Sequence, residues 1–178
     1  MILIKAFILI VAITSNICTT SLSSIAMVAS CSPCPILPLY YQTIHNYTAV
    51  ATSTIVAFSL RRWNAYFAID NVSVRDYAAP GTEILVNGDF ETGNLTPWVY
   101  CNQMNASSTG GVRSNFSHAS FGYYPQSGTY FYVGGSNISA DYLFQSFPTQ
   151  LGHQYKVSLS TMFPGTDNMT SAALFLSV

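Results

Sequence analysis

Apolar and polar positions alternate along most of the chain after residue 40, with the two-residue period of β-strands. Residues 54–60 are rich in β-branched and aromatic side chains and put Val56, Phe58 and Leu60 on one face. Polar groups at 61–64 interrupt this run. Residues 65–74 then read as a second strand that ends in a turn around Pro80. Residues 83–90 read as a short strand in which Ile84 and Val86 alternate with Glu83 and Leu85. Asn87, Gly88 and Asp89 tolerate unusual backbone angles, so a bend is expected there before Phe90 returns to the core. A turn at 92–94 and a large apolar anchor at Trp98 follow. Beyond a polar, Asn/Ser/Gly-rich loop at 101–121, strands are expected at 123–133, 141–147, 155–163 and 171–178. The third of these aligns Tyr155, Val157, Leu159, Thr161 and Phe163 on one face. No amphipathic helix of useful length appears, so the fold class is all-β, a sandwich of short strands.

At 178 residues the chain suffices for one domain of ordinary size. Charged residues make up 7% of it, against about 25% in average soluble proteins. That scarcity, with no cluster of Lys or Arg, excludes a solvated disordered tail and a nucleic-acid footprint. A net charge of −1 gives no steering toward polyanions. The surface must instead be built from Ser, Thr, Asn, Gln and Tyr, the profile of extracellular β-proteins.

An apolar run over residues 2–13, with the single cation Lys5, has the length of a signal-peptide core. It falls short of the roughly 20 residues that span a bilayer. We read 1–26 as a signal peptide cut near Ser23 or Ala26, with an uncleaved anchor as the alternative. No later segment approaches membrane-spanning length. Pro33, Pro35 and Pro38 make 27–40 an extended Cys/Pro-rich linker before a sandwich over 41–178. Seven Asn-x-Ser/Thr triplets support export. Asn46, Asn105, Asn115, Asn137 and Asn168 are the expected glycan acceptors; Pro97 weakens Asn94, and Asn71 lies inside a strand. Cys18 leaves with the leader, so either a local Cys31–Cys34 disulfide or a bridge from Cys101 to one of that pair is expected.

Residues 85–98 read L-V-N-G-D-F-E-T-G-N-L-T-P-W. This resembles the opening strand of galactose-binding-like β-sandwiches, the jelly-roll carbohydrate-binding modules of the cellulose- and xylan-binding type. Residues 60–74, L-R-R-W-N-A-Y-F-A-I-D-N-V-S-V, are similar to the hairpin that ends such modules. They depart from it at Arg62-Trp63-Asn64 in the turn and at Asn71, where a second Asp is usual. The resemblance implies a jelly roll with its end-of-module strands (41–77) written before its start-of-module strands (83–178). The chain is then a circularly permuted domain, or else the tail of one repeat followed by the head of the next. The permuted reading leaves no edge bare and predicts that 66–74 pairs with 84–90. The resemblance also implies a structural calcium ion held by Glu91, Asp70 and Asp89 with a carbonyl at Ser127 or Gly128, since calcium takes several oxygen ligands. Asn71 lowers the charge of that set, and plain turn carboxylates are the alternative.

Catalysis has little support in the chain. His45, His118 and His153 have no partner at a motif spacing, and no nucleophile elbow, zinc motif or phosphate loop appears. Asp89 and Glu91 share one side of a strand and cannot bracket a sugar between opposite walls. Sugar rings stack on aromatic faces, which makes Trp63, Tyr100, Tyr123, Tyr124 and Tyr142 candidate contacts, with Arg62 beside Trp63. The expected function is a secreted, non-catalytic carbohydrate-binding or adhesion module whose partner is a glycan or an extracellular-matrix component. The alternative is a structural β-sandwich, or a fragment of a tandem repeat, with no specific ligand.

Overall fold

The computed structural model describes residues 25–102, 110–165 and 169–177, and these contain strands but no helix. The chain runs through β1 (Ile25–Cys31), β2 (Leu37–Thr48), β3 (Ser53–Arg61), β4 (Phe67–Asp76), β5 (Val99–Asn102) and β6 (Gly111–Arg113). It continues through β7 (Phe116–His118), β8 (Phe121–Tyr123), β9 (Phe131–Gly134), β10 (Asp141–Pro148), β11 (Gln154–Phe163) and β12 (Ser171–Ser177). Two antiparallel five-stranded sheets result, ordered β1-β12-β3-β10-β5 and β2-β11-β4-β9-β6, with β7 and β8 as a separate small ribbon. Successive long strands go to opposite sheets, an order compatible with a jelly roll.

The two-residue period explains which faces meet. Val56, Phe58 and Leu60 from β3 are buried against Val157, Leu159 and Phe163 from β11, as their alternation predicts. Phe67 stacks on Phe163 with ring centroids 4.4 Å apart. At the other end of the core, Phe90 lies 5.7 Å from Trp98 and 5.8 Å from Tyr132, and all three are buried. Burying an aromatic ring of this size stabilises by several kcal/mol, roughly what Phe→Ala removes (about 3–5 kcal/mol).

Three expectations are corrected. Residues 27–40 are not a free linker. β1 pairs with β12 over most of its length, and β2 already begins at Leu37. The prolines are confined to the turn and the first residues of an edge strand, where a missing N–H breaks no ladder. Cys31 and Cys34 form a disulfide across that turn, and Cys101 is also disulfide-bonded. Next, β3 and β4 are not a hairpin. The five residues between them cross from one sheet to the other.

Residues 83–90, finally, form no regular strand. Asn87 and Phe90 have φ of 55° and 60°, which breaks any ladder, and Leu85 rather than Ile84 or Val86 is the buried residue. The segment still runs beside β4, through Ile84 N–H to Val74 O at 3.0 Å and Val72 N–H to Gly88 O at 2.9 Å. It is tied to the other sheet by Gln145 of β10, whose side chain exchanges two hydrogen bonds with the Val86 backbone. Gly88 is required here because a Cβ would run into the Val72 carbonyl oxygen.

Candidate functional site

β4 is irregular at its centre, and that irregularity builds the site. Phe67 and Ile69 face the core, then Val72 and Val74 do, so the alternation skips a residue at Asp70–Asn71. The β11–β4 register shifts at the same place. Asn71 takes φ 51° there, a left-handed conformation that asparagine tolerates better than most residues. Asn71, Ser73 and Arg75 are thereby turned to the outer face of the second sheet. Beside them lie Lys156 and Ser158 of β11 and Gln42 of β2, and together they floor a groove of about 700 Å³. Residues of the 83–89 segment and Gln126 form one wall; Tyr77 and Pro80 of the turn after β4 form the other.

The side chains in this groove hold one another. Glu83 accepts hydrogen bonds from Ser73 Oγ and from the backbone N–H groups of Val74, Ile84 and Leu85, and it pairs with Arg75 at 3.3 Å. Asn71 Nδ2 donates to Gln126 Oε1 at 3.1 Å and to Ser127 Oγ at 3.0 Å. At the edge of the groove His153 Nδ1 lies 2.7 Å from Asp76 Oδ2. The histidine holds that carboxyl below its ordinary range.

Of the carboxylates expected to hold calcium, Asp70 and Glu91 come to opposite ends of one loop. Asp70 is fully buried. It accepts from Asn71 N–H at 2.7 Å, Gln126 N–H at 2.8 Å and Ser127 N–H at 3.3 Å. Burial holds its carboxyl above the ordinary range; the nearby Glu91 charge pushes the same way, and the three N–H donors pull against both. Glu91 accepts from Thr129 N–H and Tyr130 N–H at 2.8–3.0 Å. Gly128, at φ 67°, sits directly against the Glu91 carboxylate and leaves no room for a Cβ. Asp89 accepts from Glu91 N–H at 3.3 Å and also lines the groove. Asn87, whose amide bridges to Asn94 and Thr96 carbonyls, and the Trp98 indole, which donates to Asn87 O, fasten the adjoining loop. Among the described residues no three His, Cys, Asp or Glu side chains converge as a metal group would require. All four oxygens of Asp70 and Glu91 already face backbone N–H groups. The set fits a clamp on residues 126–130, not a calcium cage as it stands.

The candidate aromatic contacts are not gathered in one place. Trp63 is 56% exposed in the β3–β4 crossing and Tyr124 is 46% exposed, edge-on to Tyr40. Tyr142 is half-buried on β10. Tyr123 and Arg62 are buried and offer a ligand nothing: the Tyr123 hydroxyl accepts from Tyr66 N–H. Arg62 lies 3.6 Å over the Tyr66 ring and donates to Gly135 O, Trp63 O and Tyr66 Oη. A crossing between sheets draws the guanidinium inside, where a hairpin turn would have left it in solvent.

Tyr100 is half-buried and donates to Asp141 Oδ2 at 3.2 Å; desolvation, reinforced by that carboxyl, pushes its phenol up to about 12. Asp141 also accepts from Gly135 N–H, whereas its Oδ1 and the Tyr132 hydroxyl are buried with no hydrogen-bond partner among the described residues. Of the expected glycan acceptors, Asn46, Asn115 and Asn137 are exposed, and Asn105 and Asn168 lie outside the described residues.

Gln42, Arg75, Gln126, Lys156 and Ser158 carry no motif, and Ser73 lies within the 60–74 motif without being marked as a contact. For Gln42, Ser73, Arg75 and Lys156 the only signal is parity, as outward positions of strands whose inward positions are apolar. Gln126 sits in the loop between β8 and β9, and Ser158 is largely buried on β11. Comparisons with protein families, curated proteins and solved structures found no match to this chain.

Proposed function

We propose that this chain is a secreted, non-catalytic carbohydrate-binding or adhesion module whose ligand is a neutral glycan lying across the outer face of the second sheet. The groove there carries the reading. Gln42, Asn71 and Gln126 each offer both a donor and an acceptor, Ser73 and Ser158 offer hydroxyls, and Arg75 and Lys156 donate. Such a lining matches the alternating donors and acceptors of sugar hydroxyls, and Tyr77 adds an exposed ring on which a sugar face can stack. The preformed hydrogen bonds among Asn71, Gln126, Ser73 and Glu83 lower the cost of ordering the site on binding. The resemblance of 60–74 and 85–98 to jelly-roll carbohydrate-binding modules, permuted in order, supports the same class. Export is supported by the exposed Asn46, Asn115 and Asn137 triplets and by the Cys31–Cys34 disulfide.

A structural β-sandwich without a ligand is the second reading. What favours it is the scatter of the exposed aromatics, of which only Tyr77 borders the groove.

A glycan array probed with the folded chain separates the two readings. Binding to a glycan class, weakened at least tenfold by Tyr77→Ala or Asn71→Ala, supports the module; an array with no signal supports the structural reading. The same array with a chelator, beside a thermal melt with added calcium, tests the metal. If Asp70 and Glu91 act as a loop clamp, neither binding nor the melting midpoint moves. A rise of several degrees with calcium assigns an ion to them.

A further inference from the structure

β1 ends the first sheet and β2 ends the second on the same flank, and the disulfide turn carries the chain from one to the other. Between these edges a slot of about 390 Å³ opens from solvent into the core. Its depth is aliphatic and aromatic, reaching the stacked Phe67–Phe163 pair, Phe58 and Leu174. Small side chains keep it open: Ala29 on β1 and Ala172 on β12 face inward where bulkier residues would seal the edge. Toward the mouth, β2 lines the slot with half-buried Thr43 and His45 and, at the rim, the exposed Tyr41, so hydroxyl and imidazole groups border an otherwise apolar channel. No Asp, Glu, Lys or Arg lines it, and residues 6–60 contain none. On the same two strands Met27, Val28, Leu39 and Ile44 stay 41–68% exposed.

We propose that this slot binds an uncharged single-chain lipid of the fatty alcohol or monoacylglycerol class. The acyl chain lies between the sheets and the hydroxyl head sits at Tyr41, Thr43 and His45. Volume and lining fall in the range of small-molecule sites, roughly 300–1,000 Å³, mostly apolar with a few placed polar groups. The absence of charge selects the head group. A carboxylate at this mouth gives up water with no cation to meet it, a loss that uncharged hydroxyls avoid. A hydroxyl-rich sugar is excluded from the depth of the slot for the same reason. The slot and the polar groove are separate, so failure of one proposal leaves the other standing.

The test uses the full chain and the fluorescent probe N-phenyl-1-naphthylamine. Saturable probe binding, displaced by monoolein and at least tenfold less well by palmitate at pH 8, is expected. Ala172→Phe directs a ring into the slot. It is expected to weaken monoolein at least tenfold while the melting midpoint holds or rises, as cavity-filling changes do. Thr43→Leu, on the opposite sheet, removes a head-group hydroxyl and supplies a second readout if the first variant does not fold. Unchanged displacement by monoolein in a folded variant overturns the proposal, as does equal displacement by palmitate. Sedimentation is the remaining check: a dimer that forms with release of the probe means that a second copy covers this flank, and the lipid site is then rejected.

Discussion

Asp141 shows how far a single side chain can set the behaviour of the fold. It is fully buried, and desolvation lifts its carboxyl from an ordinary 3.8 to about 6. The folded chain therefore holds the proton more tightly than the unfolded one. The stability this gives is complete below about pH 4 and is lost as pH rises through about 6. Asp141→Asn keeps an acceptor for Tyr100 and Gly135 but cannot ionise. In urea melts between pH 4 and 8 the variant is expected to match the parent at pH 4 and to exceed it at pH 8 by on the order of 2–3 kcal/mol. Parallel stability curves for the two proteins would refute this. Little of it was legible beforehand, because burial of a carboxyl at the first residue of a strand has no local signature. Arg62 and Tyr123 make the same point in reverse: each reads as a surface contact, and each is inside because of a neighbour far away in the chain. Trp98 and Phe90 were legible as core because both follow turn residues that return the chain inward.

At the scale of elements, a two-residue period was enough for β3, β4, β10, β11 and β12. β1 was not legible. Its seven residues look like the end of an apolar leader, and its partner is β12. Nor could the short connection after β3 reveal that it changes sheets, since a crossing and a hairpin turn use the same polar residues. The 83–90 segment was half legible: Asn87 and Gly88 signalled a bend, but not that the bend would dissolve the strand. Gly88→Ala tests how closely that segment packs on β4. The added methyl meets the Val72 carbonyl oxygen, so a loss of about 2 kcal/mol or more is expected in chemical denaturation. Gly81→Ala, with nothing near its Cβ, is the matched control and is expected to stay within about 0.5 kcal/mol of the parent. Similar losses in both variants would show that the close approach is not the cause.

For the whole molecule, the outermost strands set limits on processing. Ile25 and Ala26 pair with Ser177 and Leu176. A signal cut after Ala26 would strip two paired residues from β1, whereas a cut near Ser23 spares the strand. Either cut removes Cys18, the one cysteine left to pair with Cys101 once Cys31 and Cys34 pair with each other. Mass spectrometry of exported chain is expected to find an N-terminus at or before Ile25, and a start at Met27 or later would contradict this. The order of the sheets also bears on biosynthesis. Among the described strands only β7 and β8 pair with a sequence neighbour; β1 and β3 both wait for β12, and β2 and β4 both wait for β11. A ribosome-bound precursor ending short of β11 therefore holds several half-satisfied ribbons at once. Their first half, residues 6–60, has no charged residue to keep them apart. Such a nascent chain keeps these ribbons open to mispairing until β11 and β12 emerge, after which the sandwich closes over them.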